Sequence, residues 1–176
     1  MNPDAFDPFS GRLARDIRNS LSKAFRKSLV LHEPLIIQRV ADGFLGQQLP
    51  PPYQDYIEDR MVRYAEARET IIKHEIIGVV EQSQILWHLH LYYEMHELLE
   101  GLWLESAGTR RKALQGLIRA AGMKIHAEQG RHKAAQKMAQ KALTDLQENR
   151  ASLADFQELD NLLAEAGRMA SMSRNN

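Results

Sequence analysis

Residues 85–103 constrain this chain more than any other stretch. From Trp87 they read WHLHLYYEMHELLEGLW, so His88, His90, His96, Glu94, Glu97 and Glu100 are set among apolar residues. Buried polar groups are costly without partners, and a run of this kind needs neighbours that supply them. At 3.6 residues per turn, Ile85, Leu89, Tyr92, His96 and Trp103 fall near one line and Leu91, Leu98 and Leu102 near the opposite one. A helix apolar on two faces belongs in the middle of a bundle, with its charges meeting other helices.

The neighbours read as helices too. Leu13, Ile17, Leu21, Phe25 and Leu29 recur at helical spacing after Ser10, a candidate cap, with arginines and lysines on the remaining faces. Pro34 should end this segment, and 35–45 reads as a short second helix. The LPPPY run at 49–53 predicts a stiff extended connector. Ile57, Met61, Tyr64, Ile71 and Ile72 suit a long surface helix over 54–77, with Gly78 as its end and Ser83 as the cap of the central helix. The short link Ser106, Ala107, Gly108 turns the next helix, 109–129, back antiparallel; Gly130 ends it. Helices over 133–149 and from Ser152 complete an all-α reading: a compact bundle of about six or seven helices around an antiparallel central pair.

Two regions are expected, an amphipathic helical arm over 1–49 and an all-helical core domain over 50–176. The 176 residues, 44% of them hydrophobic, suffice for one buried core. No apolar run approaches the roughly 18 residues of a membrane span, and the acidic N-terminus lacks a secretory pattern, which makes the expected location cytoplasmic. With no cysteine, any metal would need His and carboxylate ligands. The 23 basic and 23 acidic residues cancel, although 11–27 and 110–141 are strongly basic. Acidic helices lying beside basic ones explain this better than a nucleic-acid partner, and the arm's apolar stripe is expected to pack on the domain or on a second copy.

A polar cluster is the candidate site. His96 and Glu100 are four apart with Glu97 beside them, an HExxE sequence one letter from the zinc-protease helix. On 109–129 the stripe Gln115, Arg119, Gly122 and His126 is the natural partner, with Gly116 and Gly122 permitting close approach. Three readings stay open. One is a buried hydrogen-bonded network, with Arg119 pairing Glu97 or Glu100, and Tyr92 and Trp103 each supplying a donor. Another is a pocket for a small organic or anionic ligand. The third is a divalent-metal site using His96, Glu100 and His126, with a hydrolytic activity as its extension.

At these residues the chain resembles the family called domain of unknown function 309. His96, Glu97, Glu100 and Trp103, then Gln115-Gly116-Leu117-Ile118, then His126 before Gly130, carry the resemblance over about 92–146. Arg131 stands where that family usually has Asn, and Ala134 and Ala135 where it has a Gly-Ala pair. The resemblance implies an all-helical fold and one constellation of His96, Glu97, Glu100 and His126; it implies no reaction. The favoured function is therefore a non-catalytic interaction or structural module, with activity at the cluster as the alternative.

Overall fold

The computed structural model describes residues 5–172; the first four residues of the expected lead-in lie outside that range. Among the described residues there are eight α-helices and no strand. They gather into two compact units, Met1–His74 and Glu75–Asn176. Residues 5–49 of the expected arm share the first unit with the helix that follows.

The first unit holds α1 (Arg12–Leu31), α2 (Leu35–Leu45) and α3 (Pro51–Lys73). Ala14, Ile17, Leu21 and Phe25 form the buried stripe of α1, whereas Leu13 is 39% exposed. Gly11, not Ser10, is the N-cap of α1, and the Ser10 hydroxyl donates to Asp7. Only Pro50 of the proline run is extended. Pro51 and Pro52 open α3, where the missing N–H groups cost nothing and the fixed φ suits a helix. Phe25 stacks on Tyr64 with ring centroids 4.5 Å apart. Arg68 donates from Nη1 to the Ser28 carbonyl at 2.5 Å and to its hydroxyl at 2.9 Å. That carbonyl lies near the partially negative C-terminal end of α1, where a cation is favoured, and burial holds the Arg68 pKa below its ordinary value.

The second unit holds α4 (Val79–His88), α5 (Tyr92–Glu105), α6 (Gly108–Glu128), α7 (His132–Glu148), a 3-10 turn (Arg150–Leu153) and α8 (Leu159–Ser171). The expected central helix is thus two helices, and the described residues form eight where about six or seven were expected. The break is a helix stop of Schellman type, in which the His90 N–H bonds the Trp87 carbonyl and the Leu91 N–H bonds the Leu86 carbonyl. It places His90 at φ +56°, in the left-handed region where glycine normally sits. No glycine or proline marks this break in the sequence. Ser83, expected as a cap, lies inside α4, fully buried, and its hydroxyl donates to the Val80 carbonyl.

Helix α6 is enclosed. Ala113, Leu114, Gly116, Leu117, Ile118, Ala120, Ala121 and Met123 are all buried, which takes up more than one of its faces. Contacts between Trp103 and Arg111 and between Tyr92 and Lys124 run α5 antiparallel to it, as expected. Helix α7 offers Ala135, Ala139, Ala142 and Leu146. A Cβ at Gly116 would lie 2.7 Å from Leu146 Cγ and 3.1 Å from Asp145 Cβ, so this glycine allows the close approach. Gly122 does not share that role, since a Cβ there meets nothing within 4 Å. The last helix starts at Leu159, later than expected, and Phe156 is buried in the segment before it.

Two stability predictions follow from this packing. Gly116→Ala should lower unfolding free energy by about 1 to 3 kcal/mol through overpacking, whereas Gly122→Ala should raise it by up to about 1 kcal/mol through helix propensity. Urea denaturation of both variants would show it, and equal shifts would contradict the assigned faces. Relief of the left-handed backbone in His90→Gly should stabilise by about 0.5 to 1 kcal/mol; a loss in the same measurement would mean that the imidazole's stacking on Tyr92 outweighs the strain.

Candidate metal centre on α5

The turn at 89–91 sets the rotational phase of α5. Tyr92, Met95 and Leu99 are buried, and Glu94 is buried with them at the third position of the helix, where the N-terminal dipole favours a carboxylate. His96, Glu97 and Glu100 consequently lie toward the surface, the first two half-buried and Glu100 exposed. Residues four apart stack along a helix, and the long Glu97 side chain reaches the same spot from beside them. One potential ligand atom from each of the three lies within 4.8 Å of the others. His96 Nδ1 is 3.7 Å from Glu97 Oε1; it is shielded from solvent and makes no hydrogen bond. Among the described residues this triplet is the group of His and carboxylate side chains assembled closely enough to share a cation, and it includes Glu97 rather than His126.

The other expected members are spread over α5 and α6. Arg119 bonds the Asp145 carboxylate on α7, and this is its ion pair in place of the expected Glu97 or Glu100. The Arg111 guanidinium lies 3.8 Å above the Trp103 ring. Tyr92 packs edge-on against Trp87 and stacks with His90. Burial pushes its phenol pKa up, against the opposing pull of Lys124. Burial also works against the Lys124 ammonium, but its 2.9 Å bond to Glu165 and the contact with Tyr92 outweigh this and hold its pKa above the ordinary value. Gln115 is half-buried on α6. His126 occupies the last turn of α6, and its carbonyl accepts the Arg131 N–H in the helix stop around Gly130, at φ +66°.

Sequence reasoning missed three participants. Asp145 and Glu165 neutralise cations of α6 from helices far along the chain, and no local spacing reveals such pairs. Glu94 was visible as a third Glu in the series 94, 97, 100, but its burial depends on where α5 begins. A further latch holds the segment before α8: Arg110 bonds both Asp155 oxygens, at 2.8 and 2.5 Å, and the Ser152 carbonyl. The guanidinium holds the Asp155 carboxyl below the usual range.

A helical hairpin with carboxylates and an imidazole on one outward turn is the class of domain this geometry defines. Residues 80–138 match the family model described as domain of unknown function (DUF309), so the chain carries a DUF309 domain there. The match takes in nearly all of α4, the whole of α5 and α6 and the start of α7, and with them Tyr92, His96, Glu97, Glu100, Trp103, Gln115, Arg119 and His126. No curated protein and no solved structure matches the chain.

His126 yields a pH prediction. Burial, with Arg131 second, holds its imidazole pKa below the ordinary value. A histidine that protonates less readily when folded favours folding above its unfolded pKa of about 6.5, and that contribution is lost as pH falls through the lower folded value. The urea midpoint should therefore decline below about pH 6.5 in the native protein and decline less in His126→Gln. Parallel midpoint curves for the two proteins would refute this.

Proposed function

We propose that the DUF309 domain of this chain binds a divalent cation through His96, Glu97 and Glu100. The observation that carries the reading is the convergence of one imidazole nitrogen and two carboxylate oxygens within 4.8 Å on a single surface-facing turn. Two donors sharing an ion at about 2.1 Å are about 3.0 to 3.4 Å apart in octahedral or tetrahedral geometry, so the 3.7 Å separation of His96 Nδ1 and Glu97 Oε1 needs only a small side-chain rotation to span one. A bound ion would also give His96 Nδ1 the partner it lacks as a hydrogen bond.

One nitrogen and two oxygen donors suit Zn, Mn or Fe(II) and favour none of them strongly. Three protein donors leave positions for water or substrate, the arrangement that lets an ion polarise a bound oxygen, and a hydrolytic activity would be its extension. The structural-network reading has less support, because its intended cation, Arg119, bonds Asp145.

Chelator-stripped protein dialysed against Mn2+ or Zn2+ should retain close to one equivalent by elemental analysis. Loss of a ligand in His96→Ala or Glu100→Gln should weaken retention at least about tenfold, with helicity unchanged by circular dichroism. Wild-type protein that takes up neither ion, or variants that bind as well as wild type, would defeat the proposal.

A further inference from the structure

Beside the cluster, α6 carries two polar side chains that keep donors no other described residue occupies. The Trp103–Arg111 and Tyr92–Lys124 contacts set the register of the α5–α6 pair, and that register puts Gln115 level with Glu100 and Arg111 level with Trp103. Four cations of α6 are half-buried: Arg110, Arg111, Arg119 and Lys124. Three have a carboxylate, namely Asp155, Asp145 and Glu165. Arg111 has none among the described residues. It stacks on Trp103 and spends one N–H on the Ser106 carbonyl at 3.2 Å. Gln115, one turn along α6 from Arg111, has a half-buried amide with no hydrogen-bond partner among the described residues. A guanidinium held flat on an indole keeps its fork of donors oriented, which lowers the entropy lost when it grips an oxyanion.

We infer that this site takes a small phosphorylated ligand, its phosphate bridging the cation at His96, Glu97 and Glu100 and the donors of Arg111 and Gln115. The inference rests on the cation reading. Without the ion the carboxylates of Glu97 and Glu100 would repel an anion, and the divalent ion cancels that charge. With the ion in place the cluster is neutral, the ion's open coordination positions accept a phosphate oxygen, and Arg111 supplies the positive charge and planar donors matched to the others. Trp103, half-buried under Arg111, leaves an apolar surface for the organic part of the ligand.

Phosphorus-31 relaxation of phenyl phosphate in the presence of the Mn2+-loaded protein tests this directly, since bound Mn2+ relaxes only nuclei held close to it. Wild-type protein should relax the phosphorus strongly and saturably. Arg111→Met keeps the packing on Trp103 and should weaken phenyl phosphate binding by about tenfold or more while leaving Mn2+ affinity unchanged; Gln115→Leu should act in the same direction with a smaller effect. Unchanged Mn2+ affinity also certifies that each variant is folded. If Mn2+ binds but phosphorus relaxation is absent, or is equal in wild type and Arg111→Met, the phosphate inference falls and the cation site stands. If Mn2+ does not bind wild-type protein, both fall together.

Discussion

Helix α6 lies close against α7 because position 116 has no side chain. Leu146 and Asp145 occupy the space a Cβ would need. With alanines at 135, 139 and 142 on the facing helix, the backbones come near enough for short side chains to exclude water along the whole seam. That approach brings Asp145 to Arg119, so the cation facing out of α6 is neutralised by α7 and not by α5.

The second constraint is the stop at residues 89–91. A continuous helix would carry the phase of α4 into α5. The left-handed residue at His90 resets it, and the new phase turns Tyr92, Glu94, Met95 and Leu99 inward. His96, Glu97 and Glu100 face outward as a result. The strain of a non-glycine residue at positive φ, on the order of 1 to 2 kcal/mol, is stored beside the cluster whose orientation it sets. The His90 ring also stacks on Tyr92, at 5.5 Å between centroids. The turn and the start of α5 are therefore coupled through one side chain.

Much of the fold was legible. The second helix, 35–45, agrees with its expected bounds, and the hairpin link with Gly108 at φ +60° does what glycine at that place implies. Periodicity found Ile17, Leu21 and Phe25 of the buried stripe of α1 because that helix has one dominant apolar face. It failed at 85–103, where apolar residues occur on all sides and two phases fit equally well. It misjudged the prolines, since the same residues that stiffen an extended chain also start helices, and only the chain downstream of Pro52 decides between them. At the candidate site, the i, i+1, i+4 grouping of His96, Glu97 and Glu100 was readable from spacing. The partner of Arg119 was not, because both α5 and α7 present carboxylates at plausible heights.

Local chemistry therefore determined the helical class, most helix ends and the residue types that meet on one turn of α5, since these depend on spacings of a few residues and on glycine and proline. Which cations are neutralised, which glycine is a contact and which is open space, and which way α5 faces were decided by tertiary packing. Those outcomes depend on distances between helices that are tens of residues apart in the chain. A sequence of balanced charge leaves several pairings of similar energy, and the close approach at Gly116 selects among them.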